Sequence, residues 1–466
     1  MNTHFESLYP SNSWNKEIEQ LITFVKEGNS NQLIGLPGVG RANLLRLLSY
    51  NEPVRKLHLQ SNEQWFLFVL ANFSEVKEKT LTEILKFLLL SIQESLREQN
   101  KEEELKHVAV IASEAKQSLD ELVILSILKQ TIDYLCIQKQ LTLVLLFDKF
   151  EYYTKTLTSE LFSYLSVLRS RAKYRFSVVF SIDRPLEDYF DPHFFAEFYS
   201  IFAGHNIYLP LSDKPALDFR ISYIEKAAEK TIPENVKKDI LQLTGSHANY
   251  TRITIEEFLA YEDLAGQTNK DLRGLLKENR AIRSVSYEIW EGLRASEQNF
   301  LKYVIARSTE ATEAIPALPA DRSETASSQA SRSDKKSYLK LAGLVQDNKI
   351  TIPLFEDFVR YRAEHLSNGK ITFDSQINEI KKGEFSITHL TALEFKILKF
   401  FLEHEGILVS RDEVIQGVWK DLSSTAGVTE QALDQLIFRV RKKIEDNPNN
   451  PIHLQTIKGR GFRFTS

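Results

Sequence analysis

"NQLIGLPGVGRANLLRLLSY", residues 31–50, decides how the first half of this chain reads. The apolar run from Gln32 to Ile34 enters a turn holding Gly35, Gly38 and Gly40, and a leucine-rich helical pattern follows. Glycines placed this way let backbone N–H groups turn inward at a helix N-terminus, the geometry that cradles phosphate. The spacing is that of GxxxxGK[ST] with two differences: Arg41 stands at the lysine position and Ala42 at the hydroxyl position. Arg41 keeps a positive charge without the compact ammonium geometry. Ala42 offers no ligand for Mg²⁺.

Outward from that turn, "EQWFLFVLANF" (63–73), "LTLVLLFDKF" (141–150) and "RFSVVFSIDRP" (175–185) read as buried strands, separated by helical patterns such as "NKEIEQLITFVKEG" (15–28). Strands this apolar, alternating with helices, imply a parallel sheet covered on both faces. The second strand closes on Asp148, where an acid would hold Mg²⁺ through water. Lys149 follows at the place of the acid that would orient an attacking water, and Glu151 is the nearest further acid.

With these residues in view, the chain from about 10 to 275 resembles the STAND and AAA-like P-loop ATPases related to Orc/Cdc6 proteins. "SWNKEIEQL" is similar to their entry motif, "GLPGVGRAN" to the Walker A loop, and "LVLLFDKFE" to Walker B. "FSIDRP" is similar to the strand carrying a sensor arginine, here Arg184, and "LTGSHANYTRI" to the turn of their helical lid. The resemblance implies a nucleotide site built from Gly35, Gly38, Gly40, Arg41, Asp148 and Arg184, with ATP or ADP as ligand. The substitutions at 41, 42 and 149 speak against Mg²⁺ and against efficient hydrolysis, so no catalytic residue is assigned. Two readings stand: a site that binds nucleotide with little or no turnover, and a turn that kept only the fold.

Composition sets the outer bounds. The 466 residues, 42% hydrophobic and 26% charged, suit several globular domains. Without an apolar stretch of about 20 residues or a basic leader before an apolar run, the chain is expected to be cytoplasmic, with no membrane partner. A single cysteine, Cys136, excludes an internal disulfide and lies in an apolar segment, so it is expected in the core. The same holds for Trp14, Trp65, Trp290 and Trp419. The ten histidines show no ligand spacing, and no metal site is expected. A net charge of −4 excludes a uniformly basic coat, yet from Arg439 to Ser466 seven basic residues face two acidic ones. Nucleic-acid contact is therefore sought at the C-terminus.

The last 85 residues or so carry the densest pattern. "FSITHLTALEFKILKFFLEHEGILVSRDEVIQGVW" (385–419) predicts a strand, a helix capped near Thr391 and a second helix after Ser410. "VTEQALDQLIFRVRKKIED" (428–446) predicts a third helix with Leu433, Leu436, Ile437, Val440 and Ile444 at core spacing. "IHLQTIKGRGFRF" (452–464) reads as a hairpin with Arg460 at its tip.

The motifs "LTALEFKILKFF", "SRDEVIQGVW", "LDQLIFRVRKKIE" and "TIKGRGFRF" follow in the order of the OmpR/PhoB-type winged-helix domain, which residues 382–466 resemble. The resemblance implies a third helix in the major groove of duplex DNA and a hairpin at the minor groove. Gln431, Gln435, Arg439, Arg441 and Lys442 are then the contacts on the helix, and Lys458 and Arg460 those on the hairpin. Amides suit adenine edges, and arginines suit guanine or phosphate. Leu436 and Phe438 depart from the polar pattern, which points to thymine methyls or to packing on a neighbouring domain.

The expected fold class is multidomain, α/β plus α+β. A P-loop NTPase-like parallel sheet (1–207) leads into a helical lid (208–279) and a first winged-helix-like domain (280–366) with a flexible insertion at about 307–336; a linker (367–381) precedes the last domain (382–466). The insertion is rich in Ser, Ala and Thr and cannot offset its ordering entropy. "HVAVIASEAKQS" (107–118) resembles a peptide encoded by dispersed bacterial repeats and reads as an inserted segment. The first winged helix resembles the one following the lid in Orc/Cdc6-like proteins, and lacking a densely basic helix it reads as a coupling domain. The expected function is a sequence-specific DNA-binding transcription regulator, with self-association or protein partners. The alternatives are an Orc/Cdc6-like or transposition-helper ATPase acting on DNA, and a nucleotide-free STAND-like protein scaffold.

Overall fold

The computed structural model describes residues 4–76, 80–113, 120–260, 269–309, 338–365, 370–375, 378–382, 385–387, 390–419, 430–445, 448 and 451–466. The chain divides into two compact units, one of residues 1–272 and 332–346, the other of 273–331 and 347–466.

The first unit is built on five parallel strands: β1 (Asn31–Ile34), β2 (Phe66–Asn72), β3 (Thr142–Asp148), β4 (Phe176–Ile182) and β5 (Asn206–Tyr208). Their order in the sheet is β2-β3-β4-β1-β5, with Ile34 beside Ile182 and Asn72 beside Asp148. Every residue of β1 and β4 is buried, as strands covered on both faces must be. From β1 the chain passes to β2 at one edge, winds inward through β3 to β4 and then crosses β1 to reach β5 at the other edge, so strand order reverses beside β1. Open α/β sheets hold their ligands outside the carboxyl ends of strands at such a reversal. The glycine turn, Asp148 and Arg184 all lie at or just beyond carboxyl ends of strands, which is the P-loop NTPase-like arrangement the sequence predicts.

Beyond β5 come helices Lys214–Ala228, Glu234–Leu243 and Ala248–Ala260, within the stretch 208–279. Trp14 is buried, but Trp65 is 47% exposed, against expectation: it ends a 3-10 turn ahead of β2 and never enters the strand's buried face. Cys136 is buried, and its desolvated thiol is pushed up to about 12, which leaves it unreactive. The segment 107–118 begins within helix Glu102–Ala112, and its residues 114–118 lie outside the described residues. The last strand of this unit is β6 (Val345–Gln346).

The second unit opens with helices Arg280–Glu291 and Ala295–Thr309, followed by β7 (Lys349–Ile350) and helix Pro353–His365. Most of the expected insertion at about 307–336 lies outside the described residues. Strands β8 (Ile371–Asp374), β9 (Glu379–Lys382) and β10 (Phe385–Ser386) then form an antiparallel sheet in the order β10-β9-β8. The stretch expected to be a linker, 367–381, thus carries two strands. Ile371 and Ile380 are each 1% exposed and join one core with Leu433, Val440 and Phe462. Strands this short, flanked by Ser-Asn-Gly, leave too brief an alternation for the sequence to reveal them.

Helices Ala392–Glu403 and Arg411–Val418 start where predicted because each carries a capping box, Thr391 with Glu394 and Ser410 with Glu413. The third helix is Glu430–Ile444. A last sheet follows, β11 (Leu408–Val409), β12 (Leu454–Ile457) and β13 (Gly461–Phe464), in the order β11-β13-β12. Among the described residues, no helix is long and apolar enough to cross a membrane.

Candidate functional site

The glycine turn is left-handed at Gly38 (φ 80°) and Gly40 (φ 113°), and Gly40 starts helix Arg41–Tyr50 without a side-chain cap. Among the described residues, the N–H groups of Arg41, Ala42 and Asn43 donate to no backbone carbonyl, the usual state of a helix N-terminus. The glycines themselves are packed against protein. A Cβ on Gly38 would stand 2.8 Å from Cβ of Asn249 and 3.0 Å from Cε1 of His247; one on Gly40 would stand 2.9 Å from Cζ2 of Trp14. Residues at the start of helix Ala248–Ala260 also bond the turn directly. His247 Nε2 donates to the Pro37 carbonyl at 3.0 Å, and the Asn249 N–H donates to the Gly38 carbonyl at 3.1 Å. Burial lowers the His247 pKa to about 4, so the ring is neutral, with Nδ1 accepting from the Tyr250 N–H.

Arg41 does not reach outward. Its Nη2 lies 2.8 Å and its Nη1 3.4 Å from the two carboxylate oxygens of Glu151, and both side chains are largely buried. Burial alone would lower the arginine pKa, but Glu151, Asp183 and Asp148 outweigh it and raise it. Asp148 is 2% exposed, and its Oδ2 accepts no hydrogen bond. Desolvation raises its pKa against the pull of Arg41, Arg46 and Lys149. Arg184 is also held within the unit, 3.4 Å from Asp188 and stacked 4.2 Å from the ring centre of Tyr338, whose hydroxyl donates to the Asp183 carbonyl.

These residues do not fit a nucleotide carried on Mg²⁺. The cation of the loop is committed to a carboxylate, and no hydroxyl stands at 42. The structure thus brings the predicted Gly35, Gly38, Gly40, Arg41, Asp148 and Arg184 to one end of the sheet. It adds Glu151, His247 and Tyr338. Glu151 was visible as the nearest acid; Tyr338 had no signal, since its proximity is purely tertiary.

At the other end of the chain, helix Glu430–Ile444 turns Leu433, Leu436, Ile437, Val440 and Ile444 into the core. Gln431, Gln435 and Arg439 are exposed, and Arg439 lies 3.7 Å from Glu394. Arg441 is occupied differently: Nε donates to the Leu454 carbonyl at 2.8 Å and Nη2 to the Thr456 hydroxyl at 2.6 Å, tying the helix to β12. Glu445 completes that tie by accepting from the backbone N–H groups of Ile452, His453 and Leu454. Lys382 of β9 caps the helix by donating to the Ile444 carbonyl at 2.8 Å. Lys442 lies 3.4 Å from Glu291, and Lys443 is 2.6 Å from Glu394.

In the hairpin, Ile457 pairs with Gly461 and leaves Lys458, Gly459 and Arg460 exposed at the tip. Of the two residues that break the polar pattern, Leu436 is core. Phe438 is 39% exposed and, with Lys442 and Trp290, lines a cavity of about 150 Å³. Sequence reading missed Lys382, Glu394 and Glu445 as supports; only Glu394 had a signal, its place in a capping box.

Residues 386–464 match the family "Transcriptional regulatory protein, C terminal". Over 101 residues the chain is 34% identical to Protein PetR of Rhodobacter capsulatus, an overlap of 21% of this chain and 42% of PetR. The chain thus spans less than half the length of that relative. Among solved structures, the RstA DNA-binding domain of Klebsiella pneumoniae, in complex with the RstA box, is 25% identical over 21% of this chain and 92% of that one (TM-score 0.19). A Walker-type ATPase of Pyrococcus abyssi is 15% identical over 77% of this chain and 97% of that one (TM-score 0.47). The C-terminal region is an OmpR/PhoB-type domain.

Proposed function

We propose that this protein is a cytoplasmic, sequence-specific DNA-binding transcription regulator that reads duplex DNA with helix Glu430–Ile444 and the hairpin carrying Arg460. One observation carries the reading: the exposed face of Gln431, Gln435 and Arg439 and the Lys458–Arg460 tip belong to a single body, fixed by Arg441 and Glu445, in a region that matches a regulator family. A helix that positions amides and a guanidinium toward a groove, beside a thin cationic hairpin, suits direct readout with minor-groove support. The P-loop-like sheet, the lid and the first winged helix act as a sensory or assembly module that receives a signal or a protein partner, and ATP turnover is not part of its role.

Site selection from random duplexes, followed by footprinting in the source genome, tests this; absence of any preferred sequence overturns it. Within a selected site, Gln435→Ala should relax the base preference at one position by about 1–3 kcal/mol. Arg460→Ala should weaken all duplexes alike and reduce the salt slope by about 1. Binding isotherms at several salt concentrations check both.

A further inference from the structure

We propose that the glycine loop of the first unit is closed by the protein's own side chains, with Glu151 taking the anion's place at Arg41, so that the loop latches the lid to the sheet without any nucleotide. This inference is independent of the DNA-binding reading and concerns a different unit.

Three separate contacts carry it. The cation at the motif's lysine position is held in a largely buried pair with both oxygens of Glu151, 2.8 and 3.4 Å away. The sensor-like cation, Arg184, is paired with Asp188 and covered by the ring of Tyr338. The turn's carbonyls at Pro37 and Gly38 are bonded from the lid by His247 and Asn249, side by side with the close approach that requires glycine at 38.

Electrostatics favour the same conclusion. Arg41 already feels the acidic groups of Glu151, Asp183 and Asp148, so a polyphosphate would have to compete with Glu151 for its charge. It would also have to break a desolvated ion pair, which leaves Glu151 buried and unpaired. The free N–H groups at the helix start do not compensate for two committed cations. In this arrangement the glycines serve packing, and the position of the lid is set by residues of the chain.

The test uses the purified full-length chain. ATP, ADP and inorganic triphosphate, each with and without MgCl₂, are titrated by calorimetry and by thermal melting, alongside the variants Glu151→Gln, Arg41→Ala and the double substitution. The expected result is no nucleotide heat and no shift of the wild-type midpoint, with each single variant lowering the first unit's midpoint and the double variant no worse than either single one, as for two partners of one interaction. Saturable nucleotide binding by the wild type overturns the proposal, and so do single variants that leave the midpoint unchanged. The wild-type titration stands even if a variant fails to fold.

Discussion

Gly461 shows how little room a single residue can have in the hairpin. It sits at φ 121°, and a Cβ there would stand 2.1 Å from the Val409 carbonyl oxygen of β11. Gly461→Ala should therefore lower stability by roughly 2–4 kcal/mol, combining overpacking with a left-handed backbone penalty. Thermal melting checks it, and DNA affinity should fall in parallel because the Arg460 tip loses its seat. The sequence makes this glycine visible as a turn signal and leaves its crowding hidden. Arg441 is a similar case. Sequence logic groups it with the DNA-facing cations, whereas its hydrogen bonds to Leu454 and Thr456 hold the hairpin against the helix.

For the elements, local chemistry was legible wherever it was written in neighbouring residues. The capping boxes at Thr391 and Ser410, the core periodicity of helix Glu430–Ile444 and the Gly-Arg-Gly tip could each be read directly. Strands β8 and β9 could not, since their burial depends on a core assembled from distant elements.

Glu394 joins both kinds of information, capping its own helix and pairing with Lys443. Burial pushes its carboxyl up, but the hydrogen bonds from Lys443 and Thr391 prevail and hold it below the ordinary value of 4.5. A carboxylate depressed in the folded state contributes its stability above the unfolded pKa and loses it as pH falls through the folded one. Glu394→Gln should thus cost about 2 kcal/mol at neutral pH. The gap between variant and wild-type midpoints should narrow steadily below about pH 4.5.

At the scale of the molecule, the P-loop-like sheet was legible because buried parallel strands announce themselves in apolar runs. The closure of its loop was not, since Glu151 reaches Arg41, and His247 and Asn249 reach the turn, only through tertiary folding. Within the second unit, Lys442 is drawn to Glu291 of helix Arg280–Glu291 rather than left fully to solvent. Such a partly exposed pair is worth about 0.2–1 kcal/mol. Glu291→Gln should accordingly raise DNA affinity by no more than about fivefold. The gain should shrink as salt is added, and fluorescence anisotropy at low and high ionic strength measures it.

The bond from Lys382 to the Ile444 carbonyl also decides where this protein can be cut. The family match starts at 386, downstream of Lys382, Ile371 and Ile380, all three buried in the same domain. A fragment excised at that boundary would carry helix Glu430–Ile444 with its last carbonyl uncapped and one wall of its core missing. A fragment begun near residue 370 should keep both, and should outlast the shorter one under limited proteolysis.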